Sequence, residues 1–208
     1  MIDHTTLITY ILIVLGFVFI PGPATLLTMA RAASSGTRVG IATGAGIAAG
    51  DVVHTTMAIV GLSAIIATSA LLFSVVKYAG AGFLIYLGIR SMLDKTPIEV
   101  NGGAPAISAA RAFRQAVLTE VLNPKTALFF LAFLPQFVRP EHGSTTLQLA
   151  LFGAVFVLLG LLSTVVFAVG AGRLGNLLRR HPAVVKWQDK VVGTIYCAVG
   201  VRLALQER

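Results

Sequence analysis

The chain has 208 residues, of which 56% are hydrophobic and only 12% charged, with a net charge of +8 and a mean hydropathy of +0.88. A water-soluble domain carries about 25% charged residues. The composition therefore excludes a soluble enzyme or binding module and indicates an integral membrane protein of one domain or two short repeats. The basic excess does not point to nucleic acid, because Lys and Arg lie between apolar runs rather than on one soluble face with aromatic partners.

About 20 mostly apolar residues cross the hydrocarbon core as a helix, and six segments meet that length. The first, roughly Thr5–Ala30, follows Met1-Ile2-Asp3-His4, which lacks the Lys or Arg of a signal peptide's basic region. It is expected to stay as a membrane span. Pro21-Gly22-Pro23 interrupts it. Proline clashes with the preceding turn and removes a hydrogen-bond donor, and in lipid the freed carbonyls need protein or a water-filled cavity to satisfy them.

The second span, about Val39–Ser63, begins with glycines at 36, 40, 44, 46 and 50. Their four-residue spacing is expected to open one helix face to close packing or sliding. Asp51 follows, well inside the span. An ionisable residue there costs about 2.5–3.5 kcal/mol on insertion scales, so it faces a cavity or a partner. It is a candidate proton carrier or a counter-ion for an ammonium group. His54 and Thr55, three and four residues on, share its helical face; His54 suits either a core hydrogen bond or a proton relay.

The third span, about Leu71–Met92, follows after a few small or apolar residues. The connection after it contains the turn signals Thr96-Pro97 and Asn101-Gly102-Gly103. It divides the chain into halves of three helices, residues 1–92 and 113–208, within a single transmembrane domain.

The fourth span, about Phe113–Phe137, is broken at Asn123-Pro124-Lys125. Glu120 and Asn123 lie three apart and share a face. Lys125 either points inward, toward a substrate carboxylate or an acid, or snorkels to the interface. Acids together with a lysine suit a zwitterion. Spans five and six are expected at about Thr146–Gly170 and Val184–Leu205.

Basic residues alternate across these connections. The first carries Arg31 and Arg38, the third Arg90, Lys95, Arg111 and Arg114, and the fifth Arg173, Arg179, Arg180, Lys186 and Lys190, whereas the other side carries Lys77, Arg139, Arg202 and Arg208. Eleven against four predicts a cytoplasmic 93–112 loop and both termini outside. Two three-helix halves then have opposite topology. The expected fold is an all-α protein of six transmembrane helices in two inverted repeats, with breaks at matching depth marking the substrate site.

No nucleophile elbow, zinc-protease motif or P-loop occurs. The histidines His4, His54, His142 and His181 are scattered and offer no metal-ligand spacing. No enzyme activity, cofactor or bound metal is expected. The lone Cys197 excludes an internal disulfide. Without a nucleotide loop the energy source is an ion gradient, worth about 2.3 kcal/mol per charge per 100 mV. A cation or metal exporter is the rival reading, although one Asp and one Glu in the spans make a poor metal set.

Pro21-Gly22-Pro23, the Gly36 to Asp51 run, Phe113-Arg114-Gln115, Asn123-Pro124-Lys125, Phe129-Phe130 and Leu134-Pro135-Gln136-Phe137 together resemble the LysE/RhtB family of bacterial inner-membrane amino-acid exporters. The resemblance implies six helices and proton-driven efflux of amino acids or close derivatives, nearest the branch that handles homoserine, threonine and leucine. It places Asp51 and Asn123-Pro124-Lys125 among the family's characteristic positions. The expected partners are a small amino acid, protons and the lipid bilayer, and a homo-oligomer is compatible with the sequence.

Overall fold

A computed structural model describes residues 2–19, 22–68, 70–93 and 106–180, and beyond them 190, 193–194, 197–198, 200–201 and 204–205. The described secondary structure is helical throughout. Helix α1 (His4–Phe19) is capped by Asp3, whose Oδ1 accepts the Thr6 amide at 2.8 Å and whose Oδ2 accepts the Thr6 hydroxyl at 2.6 Å. Helix α2 (Pro23–Ser35) starts from Gly22, in extended conformation, with proline at the first helical position. Proline is suited to that position because the amide it lacks would have no partner there. Gly36 stops α2 with φ of 89°, a backbone conformation that favours glycine.

Helices α3 (Thr37–Thr68) and α4 (Ala70–Leu93) follow. Helix α5 (Ala109–Val121) begins at Ser108, whose hydroxyl accepts the Arg111 amide. Its buried residues Ala112, Ala116 and Glu120 recur every four positions and form one stripe. Helix α6 (Pro124–Leu128) starts from Asn123, whose side-chain oxygen accepts the Lys125 amide at 3.0 Å. A π-turn (Phe129–Phe133) and two 3-10 turns (Leu134–Phe137 and Pro140–His142) lead to α7 (Thr145–Arg180).

Thr145–Ala171 of α7, with mean hydropathy 2.6, is long and apolar enough to cross a bilayer alone. Helices α1 with α2, and α5 with α6 as far as Phe137, meet the same standard as pairs bent by 51° and 49°. Both breaks use one local grammar, an extended cap residue followed by proline at the first position of a new helix. Pro21 itself lies outside the described residues. So do residues 94–105 of the expected loop and most of the sixth expected span, including Lys186.

Helix α3 lies at the centre, packed chiefly against α5 and α7 and also against α2. The single glycine face expected for α3 is in fact two faces. A Cβ on Gly40 would strike Ala32 of α2, and one on Gly44 would strike Thr164 of α7. Cβ atoms on Gly46 and Gly50 would instead strike Phe113, Ala116 and Glu120 of α5. Gly44 and Gly46 are two residues apart, about 200° around a helix of 3.6 residues per turn, so they cannot share a face. Glycine thus lets α3 approach two neighbours at once.

The polarity of the molecule suits lipid. Large apolar side chains such as Leu12, Val60, Leu71 and Leu158 are exposed, while Asp51, His54, Glu120 and Asn123 are buried. An aromatic core of Tyr10, Phe129, Phe130, Phe133, Phe152 and Phe156 fills the space among α1, the π-turn and α7. The Tyr10 hydroxyl donates to the Phe152 carbonyl at 2.9 Å, so this buried phenol is satisfied.

Candidate functional site

The two breaks open onto one cavity of about 50 Å³, which accommodates a few water-sized groups. Phe17 and Val18 reach it from before the first break, and Gly22, Pro23 and Thr25 from after it. Glu120 and Asn123 reach it from before Pro124, and Lys125 and Thr126 from after it. Helix α3 contributes Ile47 and Asp51, and α7 contributes Phe156, Gly160 and Thr164.

Asp51 is 2% exposed. A Cβ on Gly160 would stand 3.3 Å from its Oδ2, so a side chain at that position of α7 would crowd the carboxylate. Glu120, also 2% exposed, is differently placed. Asn123 Nδ2 donates to its two carboxylate oxygens at 3.1 and 3.2 Å, and the Thr126 hydroxyl donates a short bond to Oε1. These protein donors engage both Glu120 oxygens, and the carboxylate ties the end of α5 to the start of α6. Lys125 extends into the cavity: its Nζ lies 4.3 Å from the Phe17 ring centroid, and a Cβ on Gly22 would meet it at 3.2 Å. A cation over an aromatic face is attracted by the ring quadrupole.

The structure thus gathers Asp51, Glu120, Asn123 and Lys125, together with Gly22 and Pro23, around one space. Of the other expected residues, the described ones, His54, Thr55 and Pro124, are not on the cavity wall. The Thr55 hydroxyl turns back to the Asp51 carbonyl at 2.8 Å, and its side chain is pressed against Gly153 of α7. His54 contacts the Glu120 backbone, and Pro124 is exposed. Nine wall residues were not among the expected ones, including Phe17, Thr126, Gly160 and Thr164. The readable signal for the last was the polar pair Ser163-Thr164 within the apolar run of α7; Phe17, Thr126 and Gly160 carry none in sequence.

Comparison with known proteins decides the family. The sequence model of the LysE type translocators matches residues 15–207. The chain belongs to this family. As a LysE type translocator it is a membrane transporter and not an enzyme. The translocator is 31% identical to an uncharacterized membrane protein of Bacillus subtilis, over 96% of this chain and 99% of that one. It is 29% identical to an uncharacterized membrane protein of Vibrio cholerae, over 95% of both chains. It is also 29% identical, over 88% of both chains, to the homoserine/homoserine lactone efflux protein of Salmonella typhimurium. No solved structure matches this translocator.

Proposed function

We propose that this LysE type translocator is a secondary transporter that exports small amino acids or close derivatives from the cytoplasm in exchange for protons. The observation that carries this reading is the convergence of both helix breaks, a buried aspartate and an inward lysine on one small cavity. Asp51 receives the substrate ammonium group or, in its absence, a proton. Lys125 receives the carboxylate, assisted by the partial positive charge at the start of α2. Glu120, its oxygens engaged by Asn123 and Thr126, holds the second break in shape. Phe17, Val18, Ile47 and Phe156 offer an apolar wall to a neutral side chain. The efflux protein of Salmonella typhimurium is named for homoserine and its lactone, which supports export of compounds of this size and the neutral-amino-acid branch.

The architecture in this reading is one transmembrane domain of six helices in two inverted repeats, residues 1–92 and 113–208, joined by a cytoplasmic loop. It sits in the bacterial inner membrane with both termini periplasmic. The similar bends of 51° and 49° in the first span of each half support it, as does the alternation of basic residues.

Reconstituted vesicles loaded with a panel of labelled amino acids test the proposal. An imposed proton gradient should drive efflux of at least one neutral member. In folded Asp51→Asn protein that efflux should fall by about tenfold or more, roughly 1.4 kcal/mol in the transport barrier. Gradient-driven efflux at the wild-type rate in that variant removes Asp51 from the role. Metal protection of a sensitive host without amino-acid flux would favour a cation exporter instead.

A further inference from the structure

At each helix break one backbone carbonyl that lacks its helical donor is met by a side chain from a different helix. Pro124 has no amide hydrogen, so the Glu120 carbonyl four residues earlier loses its helical donor and accepts the Asn123 amide at 2.9 Å instead. His54 Nε2, from α3, lies 2.9 Å from that oxygen. At the first break Gly22 is extended, with φ of −126° and ψ of −172°, and the Val18 carbonyl four residues earlier lies in the last turn of α1, where carbonyls lack helical donors. Ser163 Oγ, from α7, donates to it at 2.6 Å. A carbonyl oxygen has two lone pairs, so at the second break His54 adds a second donor beside the Asn123 amide, while at the first Ser163 meets a carbonyl at a helix end, where helical donors run out.

A backbone carbonyl has no proton to give, so His54 Nε2 must be the donor. The ring is 5% exposed and stacks on Phe130 of the π-turn, with centroids 6.0 Å apart and planes at 19°. The imidazole is therefore fixed on both sides of the break, to the last turn of α5 through Glu120 and to the segment beyond α6 through Phe130. It is absent from the cavity wall.

We infer that His54 is a positioning residue: it caps the carbonyl that Pro124 deprives of its helical donor and thereby holds the Glu120–Asn123–Thr126 cluster at the cavity, without carrying a proton. Ser163 is its counterpart at the first break. A hydroxyl or an amide serves this purpose as well as an imidazole, whereas a proton relay needs the titrating ring.

The inference rests on the proposed transport only for one of its readouts. Full-length wild type, His54→Gln, His54→Phe and Ser163→Ala proteins are compared in lipid vesicles. Glutamine supplies an amide donor near Nε2, and phenylalanine keeps the ring without a donor. Histidine-selective nitrogen-15 spectra, with the His54 signal assigned by its loss in His54→Gln, should show a hydrogen on Nε2. His54→Gln should retain most gradient-driven amino-acid efflux and the wild-type unfolding temperature. His54→Phe and Ser163→Ala should unfold at lower temperature and lose efflux by about tenfold, as expected when a buried hydrogen bond between helices is removed. A bare Nε2 with the hydrogen on Nδ1 overturns the inference, and so does folded His54→Gln as inactive as His54→Phe. If wild type moves no amino acid, the exporter reading fails, while the spectrum and the ordering of unfolding temperatures still decide the capping role.

Discussion

The Lys125 ammonium stands 4.3 Å from the centre of the Phe17 ring, so a cation just past the second helix break rests on an aromatic just before the first. This contact joins the two interrupted helices across the cavity and brings the positive charge to the side of the site where Gly22 leaves space. Asp51, on α3, reaches the same cavity beside Gly160 of α7. A solute with an amine and a carboxylate has a complementary group for each end.

That polarity separates two kinds of substrate. Lys125→Gln should raise the KM for a zwitterionic amino acid by about tenfold, equivalent to ~1.4 kcal/mol. An amino lactone lacks the carboxylate and should lose far less. Transport assays with paired substrates in vesicles measure the difference. An equal loss for both would mean that Lys125 acts only by holding Phe17 and the break together.

The glycines of α3 differ in what surrounds them. A Cβ on Gly50 would come within 2.5 Å of the Glu120 Cβ, whereas Gly61 has nothing within 4 Å. Gly50→Ala should destabilise by about 1–3 kcal/mol through overpacking of the α3–α5 contact. Gly61→Ala should be neutral or stabilising by up to about 1 kcal/mol, because alanine is the better helix former. Thermal unfolding in detergent measures both. Wild-type stability with slowed transport in Gly50→Ala would instead favour a face on which helices slide.

Asp3 supplies a pH-dependent local contact outside the spans. Hydrogen bonds from the Thr6 hydroxyl and then the Thr6 amide hold its carboxyl below the usual carboxylate range. A lowered folded-state pKa means that the cap's contribution is present above the ordinary carboxylate range and lost as pH falls through the lowered value. Exchange of the Thr6 amide should therefore be protected near neutral pH and lose protection in acid, and Asp3→Ala should abolish that protection at every pH. Unchanged Thr6 protection in Asp3→Ala would show that the carboxyl does not cap α1.

Composition and proline chemistry by themselves determined that this is a membrane protein with two interrupted helices. Both are local properties: hydropathy needs no partner, and Pro23 and Pro124 impose their effects through their own rings and missing hydrogens. The shared face of Glu120 and Asn123 was legible for the same reason. The two-sided disposition of Gly44 and Gly46 also follows from helix geometry alone, although the regular four-residue spacing obscures it. Only the tertiary structure decided that Lys125 turns inward, that Glu120 is occupied by Asn123 and Thr126, and that His54 and Thr55 leave the cavity to Asp51. Periodicity gives a side chain's angle about its own helix axis, but not how that helix is rotated against its neighbours. After bends near 50°, that rotation is set by which surfaces pack together, and so by residues far apart in the chain.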